Sequence, residues 1–322
     1  MKANCPKCLL GERNFKGFKR MNIEIQNAVP VIRRRAFAAV LLAAYALASM
    51  NSQVSAQPRE MIRPLLAQAA PMAGPSAWVV DTMLRMAGVR ATDFLIDLGA
   101  GDGRLVINAA KTYGARGFGV DQDSRWVSLA NENARREGVD DRIKFIQQDL
   151  FKTDLGSATV VTMYGFKEYD TKLLPRLFAL KPGTRIVTHD GSLGGWEADA
   201  RVKVPASDKS SGPDPASWIS VWVVPAKVVG VWRSQMPSAN GWVDIDLKFE
   251  QTFQKIFGEA TVAGQKVPME RAGLSGDFVS FRILIVGQTV LFNGYVQTGR
   301  IVGQVMESGG RALRWRALRA PG

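Results

Sequence analysis

The hydrophobic positions of this chain change their rhythm part-way along it. From Pro75 onward, short apolar runs alternate with amphipathic stretches. The spacing predicts a helix over Ala77–Met86, with Val79, Val80, Met83 and Leu84 on one face, then a five-residue strand over Phe94–Leu98. Helix 105–112 and strand 117–120 follow. A further helix runs from Ser124, placed as its N-cap, to Glu137, with Gly138 as its stop. Its apolar positions Val127, Leu129, Ala130 and Ala134 keep helical spacing. Strands at 143–146 and 159–164, a helix at 173–180 closed by Lys181-Pro182-Gly183, and a strand at 185–188 complete the series. Such alternation implies right-handed βαβ units around a parallel sheet. Residues 191–217 are rich in Gly, Ser, Pro and Asp and read as a long excursion, with 201–204 and 219–224 pairing as an antiparallel hairpin at the sheet edge.

After Pro225 the period becomes two. Runs at 242–247, 278–285, 289–295 and 301–306 recur about every 10 residues with glycine turns between them, which predicts an all-antiparallel β module. Gly230-Val231-Trp232 resembles the opening motif of lipocalin-like barrels, although about 95 residues reads as too few for a complete barrel. Trp222, Trp232, Trp242 and Trp315 are expected in the core. The basic segment 311–319 is expected to be a solvated face, with anionic lipid as the alternative partner. The organisation expected is an N-terminal extension (1–56), a linker (57–74), an α/β domain (75–226) and a β-rich accessory domain (227–322).

Composition adds little to the fold but bears on location. The chain has 322 residues, 46% of them apolar and 22% charged, which excludes disorder and a disulfide-stapled miniprotein. Its net charge of +13 is divided almost equally: residues 1–56 carry +7, leaving +6 on the remainder. That distribution weakens any nucleic-acid reading. Arg33, Arg34 and Arg35 precede an uncharged apolar run over residues 36–50, and Val54-Ser55-Ala56 follows. These are the parts of a secretory signal peptide, too short for a spanning helix of ~20 residues. The expectation is export to the periplasm or anchoring by residues 33–50, with membrane contact through that segment and a cytoplasmic protein as the alternative. Arg34-Arg35 also fits a twin-arginine signal. Cys5 and Cys8 have no second Cys/His pair to complete a zinc site, and no metal is expected.

The chemistry concentrates at Asp97-Leu-Gly99-Ala100-Gly101-Asp102-Gly103-Arg104. A strand ends, three glycines at alternate positions turn the chain, and a helix begins, as in folds that bring backbone against a ligand. Charge narrows the ligand. A pyrophosphate at a helix N-terminus needs free N–H groups and no anions nearby, yet Asp97 and Asp102 bracket this loop. Two carboxylates suit a ligand carrying an ammonium and a sulfonium, namely S-adenosylmethionine. Asp121, after the next strand and beside Gln122, is placed to accept from a ribose diol. Asp149 is placed to accept from an adenine amino group, with Leu150 against the ring. The competing reading makes Asp97 a structural acid, Asp121 a turn residue and Asp149 a helix cap. Three acids at three successive strand ends favour the cofactor.

These motifs resemble those of the class I, seven-β-strand S-adenosylmethionine-dependent methyltransferases over about residues 75–226. The resemblance implies a Rossmann-like seven-stranded sheet. More narrowly, Asp97–Arg104, Asp149-Leu150-Phe151 and His189-Asp190 resemble a bacterial subgroup similar to the mitochondrial-type protein-lysine methyltransferases. It implies N-methylation of a protein lysine. Two departures stand out. The lead-in Met72-Ala-Gly-Pro75-Ser76 lacks the aromatic residue usual before its proline. Tyr164-Gly165-Phe166 is not the Asn/Asp-Pro-Pro-Tyr of amino-directed nucleic-acid enzymes, which disfavours base methylation.

Methyl transfer from a sulfonium is an in-line displacement governed by positioning, and a lysine acceptor must also lose its proton. Tyr164, His189 and Asp190, at the ends of the fourth and fifth strands, are the candidates on the catalytic side. His189 is the chain's single histidine. Tyr164 is expected to pack on the methionine moiety, and Trp196 to wall the acceptor pocket or anchor the excursion. Two alternatives remain: an exported non-catalytic binding protein on this fold, or a small-molecule methyltransferase whose β module gates the acceptor.

Overall fold

The computed structural model describes residues 74–165, 170–205, 216–238, 241–285, 287–306 and 310–321. The leader, the twin-arginine run, Cys5, Cys8, the linker, Met72 and Phe166 lie outside these residues. The chain folds as α1 (Ala77–Met86), β1 (Phe94–Leu98), α2 (Arg104–Tyr113), β2 (Arg116–Asp121), α3 (Ser124–Arg136), β3 (Ile143–Gln147), β4 (Val160–Tyr164), α4 (Asp170–Phe178) and β5 (Arg185–His189). Then come β6 (Ala200–Pro205), β7 (Ala216–Val223) and eight further strands. The first seven strands form one sheet in the order β3-β2-β1-β4-β5-β7-β6. Strands β1 to β5 are parallel, and β7 runs antiparallel between β5 and β6. The edge hairpin read from the sequence is thus part of the sheet.

Alternation within the strands separates two apolar layers. Leu95, Val160 and Val187 face α1, α2 and α3, whereas Ile96, Leu98, Val161, Met163 and Ile186 face the α4 side. The apolar face assigned to α1 is buried at all four positions. Two features differ from the sequence reading. Asp123, not Ser124, caps α3, its carboxylate accepting from the Arg125 N–H while the Val127 N–H reaches the Asp123 carbonyl. The fourth helix also starts earlier, at Asp170. After β5 no helix returns along the α4 face. Residues 190–199 cross it as a loop, whose Trp196 is buried against Leu177, Ile186 and Trp222.

Strands β8 (Gly230–Ser238), β9 (Gly241–Thr252), β10 (Lys255–Val262), β11 (Gln265–Ser275), β12 (Phe278–Ile285), β13 (Gln288–Gln297), β14 (Arg300–Met306) and β15 (Ala312–Arg319) close into an antiparallel barrel. The expectation that the module is too small for a barrel is therefore wrong. Two-residue turns at Phe253-Gln254, Ala263-Gly264, Gly276-Asp277 and Thr298-Gly299 spend almost no chain between strands. Inside, Phe281 stacks on Phe292 and both meet Trp315 edge-on, so side chains fill the interior. Trp232 closes one end: its indole N–H donates to the Val228 carbonyl and the Arg319 guanidinium lies over its ring. Trp222, Trp232 and Trp315 are in the cores as expected, but Trp242 is half-exposed on the outer wall.

The barrel meets the sheet at the N-terminal edge of β5. The Ala226 N–H donates to the Gly276 carbonyl, and Gly276 lies directly against Gly183. Phe253, at φ +54°, projects from the β9–β10 turn to stack on Trp196 at 5.7 Å and meets Phe178 edge-on. Lys255 pairs with Glu197 beside this contact.

Candidate active site

Every candidate acid lies at or just beyond the C-terminal edge of the parallel strands, the edge opposite the barrel. The glycine loop is held open by its own backbone. The N–H groups of Gly99 and Ala100 both donate to the Val120 carbonyl, tying the loop to the end of β2. Gly99, Gly101 and Gly103 have φ of +81°, +52° and +83°, a region L-residues enter only at a cost. The two later glycines serve different purposes. A Cβ on Gly103 would lie 2.5 Å from the Phe145 ring, so this glycine lets α2 approach β3. A Cβ on Gly101 would meet nothing within 4 Å, so it faces open space on the ligand side of the loop.

Asp121 is fixed from both sides, its two carboxylate oxygens accepting from the N–H groups of Gly101 and Asp123 at 3.0 Å each. Gln122 follows at the exposed turn, where its carbonyl accepts from the Gln147 side chain. Asp149 caps the short 3-10 turn Leu150–Lys152 by accepting from the Phe151 N–H at 2.9 Å, and Leu150 is buried beside it. Here a capping role and a place at the strand edge coexist.

Asp97 is buried, and its carboxylate accepts from the Thr162 hydroxyl at 2.6 Å. Burial, with the charges of Asp121 and Asp102 adding to it, raises its pKa from 3.8 to about 7 against the pull of that hydrogen bond. Among the described residues no cation pairs with Asp97, Asp121 or Asp149. Asp102 differs. The Arg104 guanidinium takes its carboxylate through Nε at 2.8 Å and Nη2 at 2.6 Å, while Nη1 donates to the Pro75 carbonyl. The loop thus joins the lead-in segment through Arg104, and Gly74 packs directly on that guanidinium. Asp102 acts through this bridge rather than as a free acid.

On the catalytic side, Tyr164 and His189 are register partners on β4 and β5, and their rings stack with centroids 4.4 Å apart. Tyr164 therefore packs on His189. Adjacent residues seldom face each other, yet Asp190 has φ +56°, which turns its Oδ2 back to 3.8 Å from His189 Nδ1. Its Oδ1 accepts from the Trp218 N–H at 2.7 Å, which locks that orientation. Trp196 is part of the core and anchors the excursion, its carbonyl accepting from the Trp222 indole.

Sequence reasoning missed three residues that shape this edge: Arg104, Thr162 and Asn133. Asn133 lies on the buried face of α3 and donates to the Asp102 carbonyl at 2.9 Å. A polar residue beside Ala130 and Ala134 on an apolar face was the available signal. The residues fit S-adenosylmethionine. A buried acid and two further acids without cations surround a loop whose Gly101 side is open, as an ammonium- and sulfonium-bearing ligand requires.

Known proteins agree with this geometry. A family model described as the ANTKMT methyltransferase domain matches residues 97–200. A protein-lysine N-methyltransferase of Saccharolobus islandicus is 38% identical over 128 residues, covering 39% of this chain and 80% of that protein. An ATP synthase lysine N-methyltransferase of Caenorhabditis elegans is 32% identical over 93 residues, 29% of this chain and 48% of that protein. The chain thus spans most of the first relative and about half of the second. A crystal structure of an RNA methyltransferase from Salinibacter ruber with S-adenosyl-L-homocysteine is 42% identical, covering 48% of this chain and 95% of that one at a TM-score of 0.44.

Proposed function

The chain belongs to the S-adenosylmethionine-dependent protein-lysine N-methyltransferases, and from that premise we propose that it methylates the side-chain nitrogen of a protein lysine at the strand edge formed by Asp97, Asp121, Asp149, Tyr164 and His189. When bound, S-adenosylmethionine supplies an electrophilic methyl group on a charged sulfur. Asp97 and the glycine loop hold its cationic amino-acid end, Asp121 accepts from the ribose diol, and Asp149 with Leu150 receives the adenine. The observation that carries the cofactor assignment is Asp121, pinned by the Gly101 and Asp123 N–H groups so that its carboxylate is pre-oriented at the end of β2.

The acceptor lysine must arrive neutral and in line with the transferring methyl. The stacked Tyr164–His189 pair forms a rigid wall at the ends of β4 and β5, and Asp190 orients the imidazole through Nδ1. That arrangement suits His189 to receive the lysine proton, directly or through water.

The test is calorimetric titration of S-adenosylmethionine into the parent and Asp121→Ala, with transfer of labelled methyl to protein and small-molecule fractions. Asp121→Ala removes charge-assisted hydrogen bonds worth about 1.5–3 kcal/mol each, so affinity should fall on the order of 100-fold. Equal affinity in parent and variant sinks the cofactor assignment. Label recovered solely in small molecules sinks the protein acceptor.

A further inference from the structure

The barrel is joined at the edge of the sheet opposite the site, and side chains fill its interior, so neither its position nor its lumen serves the methyl acceptor. Its outer wall is unusual. Strands β13, β14 and β15 carry Arg300, Arg314, Arg316 and Arg319 and no carboxylate. Arg319 is spent on the Val229 and Lys227 carbonyls and the Trp232 ring. Arg300 donates to Gln297. Arg314 and Arg316 are exposed and, among the described residues, pair with no acid.

Across these arginines runs an apolar diagonal. Tyr295 on β13 is opposite Val302 on β14. Val302 neighbours Leu318 on β15, displaced by one pleat, and Leu318 neighbours Val231 on β8 in the same way. These four side chains are 55%, 41%, 53% and 39% exposed, and Phe278 extends the band by packing edge-on to Tyr295. Arg316 is opposite Val302, while Arg300 and Arg233 flank Leu318 on either side. A contiguous apolar band of this kind marks an interaction surface rather than scattered exposed residues.

We propose that this wall of the barrel docks on an anionic phospholipid bilayer, with Tyr295, Val302, Leu318 and Val231 entering the interface and Arg300, Arg314 and Arg316 meeting the headgroups. Charge complementarity selects the partner: a cationic wall without acids matches a surface of uniform negative charge. The same fact opposes a symmetric dimer through this face, which would set arginines against arginines. The aliphatic residues favour a bilayer over RNA, because the wall is a convex sheet with no groove to follow a nucleic-acid backbone.

The experiment is co-sedimentation of the full chain with vesicles of phosphatidylcholine alone, and with about one-third phosphatidylglycerol, across a salt series. The parent should bind the anionic vesicles and release from them as salt rises. Each arginine near such a surface contributes about fivefold in affinity, so Arg314→Gln/Arg316→Gln should lose about 30-fold and show a shallower salt dependence. Tyr295→Ser/Leu318→Ser should lose about 10-fold or more without changing that dependence. Unchanged melting and S-adenosylmethionine binding check that each variant is folded. Equal binding to both vesicle types, no loss in either double variant, or tighter binding of polyglutamate or polyuridine than of vesicles would each overturn the proposal.

Discussion

Two glycines two residues apart predict opposite consequences for the same small substitution. Gly101 and Gly103 both adopt positive φ, so alanine at either costs about 1–2 kcal/mol in backbone conformation alone. At Gly103 the added methyl would sit 2.5 Å from Phe145 Cζ and 3.0 Å from Ala130 Cβ, so α2 must separate from β3 or the ring must move. Overpacking of that kind costs a further ~1–3 kcal/mol, and Gly103→Ala should lose about 2–5 kcal/mol of stability. At Gly101 the methyl meets no protein atom and projects toward the space assigned to the cofactor. Gly101→Ala should therefore lose only the conformational ~1–2 kcal/mol, yet bind S-adenosylmethionine about 10- to 100-fold more weakly. Urea denaturation measures the first quantity and calorimetry the second. Cofactor affinity within twofold of the parent in Gly101→Ala would refute the placement of the ligand on the open side of the loop. A stability loss below about 1 kcal/mol in Gly103→Ala would refute the rigid contact with Phe145.

Three further outcomes follow from the same geometry. Asp97 has a pKa of about 7 and should fall lower when an ammonium arrives, so binding releases a proton below that pH. S-adenosylmethionine affinity should then rise as pH increases from 5.5 toward 7, approaching tenfold per unit, and become flat above it. Calorimetry in two buffers of different ionisation enthalpy checks this, and an equal slope in Asp97→Asn would sink it. The same raised pKa means that ionised Asp97 costs the ligand-free fold stability, a cost absent below the unfolded value near 4 and growing as pH rises through 7. His189→Phe preserves a ring against Tyr164 but removes the proton acceptor; kcat/KM should drop about 10²- to 10⁴-fold, with cofactor affinity retained. A drop within twofold would remove His189 from proton transfer. Phe253→Ala takes away ring contacts to Trp196 and Phe178, each contributing about 0.5–1.5 kcal/mol beyond area, and should split one calorimetric unfolding transition into two. A single undivided transition would mean that other contacts couple barrel and sheet.

The strands and the first helix were legible because their signals are local and periodic. Residues 79, 80, 83 and 84 share a helical face whatever lies across from them, and the parallel order follows from strand–helix alternation. What escaped depends on dihedral angles or on partners distant in the chain. Asp123 and Ser124 are both good caps in succession, and composition does not choose between them. The positive φ of Asp190, which makes adjacent His189 and Asp190 converge, has no sequence signature outside glycine. The Arg104 bridge depends on where Pro75 returns, 29 residues upstream. Trp242 is different, because parity did contain the answer. Asp244 and Asp246 face outward on β9 and Ile245 and Leu247 inward, which puts residue 242 outside; reading tryptophan as core set identity above position.

The place where the barrel attaches bears on why the two halves share a chain. Doubly wound sheets cover both faces with helices, but after β5 this chain sends a loop across the α4 face, leaving Trp196, Phe178 and Trp222 to be covered by something else. The barrel supplies Phe253 to that gap and fixes Glu197 through Gln254 and Lys255. The loop so held begins at Asp190, the residue that orients His189. Attachment at the N-terminal edge thus leaves the substrate edge open while bracing, from the far side, the segment that ends at the catalytic wall. A gate over the acceptor would have to sit at the other edge, so a β module that gates a small acceptor loses its geometric basis. A brace that also carries a cationic outer wall can hold the enzyme at a surface without obstructing the site, and this architecture makes both roles compatible.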